Sequence, residues 1–238
     1  MEIDRKLLDR ISEVYSEEFG FERVLLKYKA AEISKYCTGD TMLDLGSGLG
    51  FLCQAFAPRF RSVLGIDGSE RKVKMAVATN QYRHVDYQCT LFENFRPNHG
   101  YDFIVATNVL EHMPDSQAFL GNLCQWLTPR GRAVLTVPNA LGLHKRIGKH
   151  MGVIDDYYQL TGDDHAKGHF RTYDSSRLRE ELVSAGLAVD GIGGILLKPL
   201  SHKQMESWDP QVVDALYEIG KDLPEYCSSL IAVVSKKQ

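Results

Sequence analysis

No stretch of the sequence is apolar for long enough to cross a membrane, since a spanning helix needs ~18 consecutive apolar residues. The amino-terminal segment MEIDRKLLDRISEVY carries charges throughout its apolar pattern, so it lacks the apolar core of a signal peptide. We therefore expect a cytoplasmic protein that inserts into no membrane.

The sequence also has little excess charge of either sign. Its 28 Lys and Arg residues and 31 Asp and Glu residues give a formal net charge of −3, and the basic residues form no long run. A nucleic-acid-binding protein needs a basic face. This balance disfavours a nucleic-acid partner. The sequence does not indicate the oligomeric state.

Cysteine is scarce and scattered. The five cysteines lie far apart, at Cys37, Cys53, Cys89, Cys124 and Cys227, and no two of them form a C-x-x-C motif. An odd, dispersed set argues against both a disulfide framework and a zinc site. We expect all five cysteines to be free thiols, most of them in the core.

The sequence does contain a regular alternation of short apolar runs and amphipathic segments. Runs such as TMLDLG, SVLGID, VDYQC, YDFIVAT and RAVLTVP have the character of buried strands, each followed by a helical pattern. Alternation of this kind predicts an α/β fold with a doubly wound, mostly parallel sheet and right-handed crossovers. A length of 238 residues suits one domain.

Four parts follow one another along this single domain. Residues 1–37 have helical periodicity in two pieces divided by Gly20, and residues 40–138 hold the alternating core. Residues 139–173 break the alternation, contain four of the eight histidines, and are predicted to form an inserted cap. Residues 174–238 resume the sheet, with the last strands joined without a long crossover as an antiparallel edge pair.

The loop LDLGSGLG follows the first strand, where an open α/β sheet binds its ligand. Its glycines, Gly46, Gly48 and Gly50, depart from the dinucleotide fingerprint, because Phe51 stands at the last required glycine. Asp44 would repel a diphosphate at the mouth of this loop and attract a cation. S-adenosylmethionine, with its sulfonium and ammonium groups, therefore suits the loop better than NAD.

The second strand ends in Asp67, twenty-three residues after Asp44. A carboxylate at this place can accept hydrogen bonds from both ribose hydroxyls, a requirement that NAD and S-adenosylmethionine share. Alternatively, Asp67 caps the helix that begins at GSERK, since Asp and Ser are both good N-caps. Because Asp44 lies at the same loop, we favour the ribose contact.

Four segments together carry a family resemblance: LDLGSGLG, VLGIDGSE, YDFIVATNVLEHMPD and LTPRGRAVLTVPN, in this order over roughly residues 40–140. In this combination the chain resembles the class I S-adenosylmethionine-dependent methyltransferases. LEHMPD resembles the small-molecule branch that includes ubiquinone-type O-methyltransferases. The resemblance implies a seven-stranded Rossmann-like sheet and methyl transfer to a small-molecule acceptor, with S-adenosylhomocysteine as product.

The resemblance also implies which residues bind the cofactor. Those assigned to its methionine end are Asp44, Gly46, Ser47, Gly48 and Gly50. Those assigned to the ribose and adenine side are Asp67, Gly68 and Ser69, and those under the sulfonium are Thr107 and Asn108. Where the family often has an acid for the adenine amino group, this sequence has CTLFENF, with Leu91 or Phe92 at that position. We expect an apolar wall or a backbone carbonyl there.

Proton removal from a hydroxyl acceptor needs a base, and histidine is the usual choice near neutral pH. His165 and His169 lie near the point where residues 139–173 return to the sheet, and we expect His169 to be the base, with His165 the second candidate. His169 packed against Tyr173 or Tyr158 is the structural alternative.

A metal site built from His165 and His169 with Asp163 and Asp164 is conceivable. Flanking glycines argue against one helix face that holds both histidines, and we assign no metal. His112 is expected to be a packed, hydrogen-bonded histidine, and Glu111 either a supporting acid or a surface residue.

The predicted cap has two further features. Its tyrosines, among them Tyr157 and Tyr158, offer flat walls with polar tips, which suits an aromatic or sugar-like acceptor. Its basic helical stretch, with His144, Lys145 and His150, is either solvated or attracts an anionic acceptor.

Methyl transfer to oxygen is the function we favour, with N-methylation of a small molecule second. A regulatory protein that binds S-adenosylmethionine without transferring methyl is the alternative from another class. Methylation of nucleic acid is disfavoured, because YDFIVA is followed by TNVLEH and not by the N/D-P-P-Y/F of amino-methylating nucleobase enzymes.

Overall fold

A computed structural model describes residues 20–237 of the chain. The first of the two predicted amino-terminal helices lies outside the described residues. The second is helix α1, Gly20–Ile33. Within the described part of the chain, no helix combines the length and the apolar character needed to cross a bilayer. All five cysteines are thiols.

Seven strands form one sheet in the order β3-β2-β1-β4-β5-β7-β6. The strands are β1 Thr41–Leu45, β2 Ser62–Asp67, β3 Val85–Cys89, β4 Tyr101–Thr107, β5 Leu127–Pro138, β6 Leu187–Ile195 and β7 Ser229–Lys236. The first five pair in parallel, and β7 is antiparallel to both β5 and β6. The predicted doubly wound, mostly parallel sheet is confirmed.

Eight further helices follow α1 within the described residues. They are α2 Phe51–Phe56, α3 Glu70–Thr79, α4 Ser116–Trp126, α5 Leu143–His150, α6 Gly162–Ala166, α7 Ser175–Ser184, α8 His202–Met205 and α9 Pro210–Asp222. The short helices α6 and α8 were not predicted from the apolar pattern, because four or five residues cannot display a helical period.

Buried side chains alternate between two cores, one on each face of the sheet. In β1, Leu43 joins a core with Ile104 and residues of α4 and α7, whereas Met42 joins a second core with Phe103 and residues of α1, α2 and α9. Successive side chains of a strand point to opposite faces. Strands that are apolar at nearly every position therefore require helices on both faces.

The connection between β6 and β7 contains α8 and α9. The two strands form the antiparallel edge pair that we expected, with Ile195 beside Ser229. Because β6 ends and β7 begins at the same edge of the sheet, this connection need not cross it. It brings Lys198 to the carboxyl edge, near the loops after β1, β2 and β4.

Residues 139–173 leave and rejoin the sheet at one place. Asn139 and Tyr173 form an isolated parallel bridge, and the Ala140 amide donates to the Tyr173 carbonyl at 2.7 Å. Between these two points lie α5 and α6. The segment is thus closed at its base and projects from the carboxyl end of β5.

Candidate active site

One large cavity opens at the carboxyl ends of the parallel strands, with a volume of about 1210 Å³. Its walls come from the glycine loop, the ends of β2, β4 and β5, helix α1, and residues 139–173. Ligand sites of drug-sized molecules occupy roughly 300–1,000 Å³. The cavity therefore has room for a nucleoside-sized cofactor together with a small acceptor.

The glycine loop folds back on β2 and needs its glycines. Gly46, Gly48 and Gly50 have φ angles of 72°, 53° and 79°, in the left-handed region that favours glycine. A Cβ atom would lie 2.7 Å from a Val109 methyl at Gly46 and 2.3 Å from the Tyr87 hydroxyl at Gly50. The backbone of the loop consequently reaches the cavity wall without side chains in between.

Asp67 ties this loop to the start of α3. Its two carboxylate oxygens accept the amide hydrogens of Gly48 at 2.9 Å and Ser69 at 2.8 Å. The Ser69 hydroxyl accepts from the Lys72 amide and is the N-cap of α3. Ser69, and not Asp67, is thus the N-cap of α3, and Asp67 lines the cavity.

The residues present fit S-adenosylmethionine. Two buried hydroxyls beside the glycine loop and β4, Ser47 Oγ and Thr107 Oγ1, have no hydrogen-bond partner among the described residues. Buried polar atoms are normally satisfied, so an unsatisfied pair at a cavity suggests a polar ligand. Asp44 is buried and lines the same cavity, and Leu91 and Phe92 are on its wall.

Asn108 follows β4 in a left-handed conformation, with φ 52°. Its amide donates to the Thr136 carbonyl at 2.9 Å, and its Oδ1 accepts from Lys29 Nζ at 2.6 Å and from the Thr136 hydroxyl at 3.2 Å. Such strain persists only where surrounding structure holds it, and it is frequent at functional sites. The side chain is fixed at the cavity, where the resemblance places the sulfonium.

Lys29 is a residue that the sequence analysis missed. It projects from α1, is only 4% exposed, and lines the cavity. Burial lowers the pKa of this ammonium to about 8, although Glu111 and Glu22 partly oppose the shift. The available signal was a lysine on the apolar face of a helix, three residues after Leu26, which also lines the cavity.

His169 is buried at the cavity and oriented by Asp164. The two side chains are joined from Nδ1 to Oδ1 at 2.9 Å, and the His169 amide donates to the Asp164 carbonyl at 2.9 Å. Thr161 donates to Asp164 through its amide and its hydroxyl. Burial alone would raise the pKa of Asp164, but the bonds from His169 and Thr161 outweigh it and hold that pKa below its ordinary value.

His165 has a different environment. Helix α6 ends at Ala166, so His165 and His169 do not share one helix face. His165 is exposed on the rim of the same cavity. The structure thus gives His169, and not His165, the orienting carboxylate that a base requires.

His112 is a close neighbour of His169. The His112 ring lies at 4.8 Å from the His169 ring, centroid to centroid, and its Nδ1 is 3.3 Å from the Gly168 carbonyl. Burial, with His169 nearby, lowers the pKa of His112 to about 3, so the ring is neutral. His112 is the packed, hydrogen-bonded histidine that we expected.

Glu111 is fully buried, not a surface acid. Neither carboxylate oxygen has a hydrogen-bond partner within residues 20–237. A ligand atom from each of Glu111, His112 and His169 lies within 4.8 Å of the others. This grouping differs from the set with His165, Asp163 and Asp164 that the sequence suggested for a metal.

The aromatic walls expected from residues 139–173 are not where the sequence placed them. Tyr157 lies under Lys149, at 4.5 Å from Nζ to the ring centroid, and Tyr158 donates to Asp174 beneath Arg177. Neither ring lines the cavity. These cation–ring contacts engage both tyrosines away from the cavity. The apolar walls come from other residues: Phe21, Leu25, Met113, Val153, Ile154 and Phe170.

We expect Glu111→Gln to raise the free energy of unfolding above that of the natural protein by more at pH 8 than at pH 5. The difference between the two pH values should be roughly 3 kcal/mol. Burial raises the pKa of Glu111 from 4.5 to about 7. An acid with a raised pKa binds more protons in the folded state between these values, so the stability of the natural protein falls as pH rises from about 4.5 to 7. Glutamine cannot ionise, so the stability of the variant does not fall for this reason as pH rises.

Urea unfolding of both proteins at the two pH values measures this difference. Glu180→Gln, an exposed acid on α7, is the matched control and should show no pH-dependent gain. An equal effect of Glu111→Gln at both pH values would contradict a raised pKa.

Comparison with known proteins agrees with this geometry. The sequence matches the family described as "Methyltransferase domain" over residues 16–191. A ubiquinone biosynthesis O-methyltransferase of Rhodopseudomonas palustris (strain HaA2) is 36% identical over 182 residues, which cover 74% of this chain and 69% of the relative.

Two solved structures share the fold. An S-adenosylmethionine-dependent methyltransferase from Mesorhizobium loti has a TM-score of 0.63 at 16% identity, over 87% of this chain and 97% of its own. The N-methyltransferase NodS from Bradyrhizobium japonicum WM9, in complex with S-adenosyl-L-homocysteine, has a TM-score of 0.60 at 15% identity. The match covers 94% of this chain and 92% of NodS.

The family match extends over more than half of the chain, and the sheet order places the glycine loop and Asp67 at one edge. S-adenosylmethionine is thus the cofactor of this enzyme, as the resemblance implied. The chain belongs to the class I S-adenosylmethionine-dependent methyltransferases.

Proposed function

We propose that this enzyme transfers the methyl group to an oxygen atom of a small-molecule acceptor. The observation that carries the proposal is the hydrogen bond between His169 and Asp164 at the cavity wall. When bound, S-adenosylmethionine supplies an electrophilic methyl group on a positively charged sulfur. The chain itself has to orient the acceptor, exclude water and accept one proton.

The cofactor side of the proposal assigns roles to the loops after β1, β2 and β4. Asp67 accepts from the ribose hydroxyls, and Asp44 favours the positively charged methionine end. The other residues proposed to contact the cofactor are Gly46, Ser47, Gly48, Gly50, Gly68, Ser69, Leu91, Phe92, Thr107 and Asn108. All of these except Gly48 and Gly50 line the cavity, and those two glycines shape the loop.

His169 is the proposed base. Since Asp164 faces Nδ1, that nitrogen carries the hydrogen, and Nε2 is left to accept a proton from the acceptor. The negative charge of Asp164 then stabilises the protonated ring. Asp164 is in turn fixed by Thr161, so the ring orientation does not depend on the acceptor.

Residues 139–173 are proposed to act as a cap over the acceptor. His144, Ile154, His169 and Phe170 from this segment line the same cavity as Asn108. A cover of this kind excludes water from the reacting atoms.

Oxygen is favoured over nitrogen for two reasons. A neutral amine can be methylated without a base, whereas a hydroxyl gains from an oriented histidine. The relative from Rhodopseudomonas palustris is named an O-methyltransferase, and the N-methyltransferase NodS is similar in fold alone.

Incubation with S-adenosylmethionine labelled with ¹³C in the methyl group, together with a pool of small metabolites, tests the proposal. We expect the ¹³C resonance of the product to be that of a methyl group on oxygen. A methyl on nitrogen would refute O-methylation. A rate abolished by a chelator and restored by Mg²⁺ or Zn²⁺ would assign Glu111, His112 and His169 to a metal in place of the base.

A further inference from the structure

A second buried lysine, Lys198, lies in the cavity wall. Lys198 follows β6, is 8% exposed and lines the cavity. Its ammonium forms no ion pair and no side-chain hydrogen bond with any of residues 20–237. A buried charge is costly unless it is paired, so such a group in a cavity wall indicates a missing anion.

The backbone holds Lys198 in place. Leu196, two residues before Lys198, has φ 60°, and its carbonyl accepts from the Ser228 amide at 2.8 Å. The carbonyl of Lys198 accepts from the His144 amide at 3.1 Å, which ties it to the start of α5. The turn after β6 that carries Lys198 is therefore anchored to the residue before β7 and to the start of α5.

The surroundings of Lys198 are positively charged. Burial lowers its pKa to about 8, and repulsion from Lys167 and Lys145 adds to the shift. The nearby acid that opposes this, Glu22, is already engaged with Lys167 at 3.3 Å. Lys167 is also paired with Asp163 at 3.2 Å. Glu22 and Asp163 thus pair with Lys167 and not with Lys198.

Lys198 lies on the acceptor side of the cavity. Its neighbour Lys145 contacts Asp164 at 3.5 Å, and Asp164 is bonded to His169. The rings of His144 and His202 lie close enough to Lys198 for its charge to lower their pKa values, after burial as the main cause. Both rings are neutral and add no competing positive charge.

We propose that Lys198 binds an anionic group of the methyl acceptor, either a carboxylate or a phosphate ester. This inference rests on the proposed function, because it assumes that the acceptor occupies the cavity beside His169. The acceptor then carries a hydroxyl at the His169 end and a negative charge at the Lys198 end. Binding of an anionic group also explains why a lysine is buried at a position where methionine would pack at a lower cost in free energy.

Calorimetry on the protein loaded with S-adenosylhomocysteine provides the test, with sodium benzoate and sodium phosphate as probes at constant ionic strength. We expect at least one anion to bind, and the neutral benzamide to bind at least tenfold more weakly than benzoate if the carboxylate is preferred. Tighter phosphate than benzoate binding would identify a phosphate ester.

Lys198→Met is expected to weaken binding of the preferred anion by tenfold or more, and Lys198→Arg to retain it. Lys149→Met removes the same charge from α5 outside the cavity and should have no effect. Because Lys198→Met also removes an unpaired buried charge, its Tm should rise by about 2 °C or more. A lysine with a structural role would give a lower Tm on substitution.

Failure of both probes to bind the natural protein would overturn the proposal, as would equal binding of the preferred anion to Lys198→Met or a destabilised Lys198→Met. The affinity for S-adenosylhomocysteine should be the same in all these proteins. Anion binding at Lys198 combined with a product methylated on nitrogen would refute the proposed function alone.

Discussion

Replacement of His169 by alanine is expected to lower kcat by about 10²-fold or more, the usual contribution of a positioned base. The affinity for S-adenosylhomocysteine should stay near that of the natural protein, because His169 contacts Asp164 and His112 rather than the glycine loop. Activity should recover partly at high pH, where the hydroxyl of the acceptor ionises without help.

Two variants separate this role from a structural one. Asp164→Asn removes the charge that orients and stabilises the His169 ring, and it should lower kcat with little change in cofactor affinity. His165→Ala changes an exposed histidine of the same segment and should leave kcat nearly unchanged. An equal loss in His165→Ala, or full activity in His169→Ala, would show that His169 is not the base.

Asp67→Ala is expected to weaken the binding of S-adenosylmethionine by about 1.5–3 kcal/mol, the value of hydrogen bonds to a charged group. That corresponds to a Kd higher by roughly ten- to hundredfold. The variant also loses the acceptor for the amides of Gly48 and Ser69, so a lower Tm should accompany the weaker binding.

Asp86→Ala provides the control for this change. Asp86 is an exposed acid on β3, the strand next to β2, and its loss should alter neither cofactor affinity nor Tm appreciably. Titration calorimetry with S-adenosylhomocysteine gives the affinity of both variants. A lower Tm with unchanged affinity in Asp67→Ala would mean that Asp67 only holds the glycine loop together.

The sheet and the cofactor loops could be predicted because their signals are local. A buried parallel strand is a short apolar run, and the glycine loop is defined by spacing within eight residues. Asp67 was found for the same reason, as the acid that ends the second run. Its bond to Gly48 was not predictable, because it joins two loops that are adjacent only in the folded sheet.

Buried charges could not be predicted from the sequence. Lys29, Glu111 and Lys198 are charged residue types that usually face solvent, and their burial depends on how α1 and the turns after β4 and β6 meet. The prediction that Tyr157 and Tyr158 form walls of the acceptor site was wrong for a related reason. Sequence shows that they are amphipathic, but their contacts with Lys149 and Arg177, away from the cavity, depend on the fold.

A crystal structure of the protein with bound S-adenosylhomocysteine tests the central claim most directly. We predict the ribose hydroxyls at Asp67, the sulfur beside Thr107 and Asn108, and an open space for the acceptor between the sulfur and His169, with Asp164 still bonded to Nδ1. A sulfur that faces away from His169, or a ribose held by residues other than Asp67, would contradict the account.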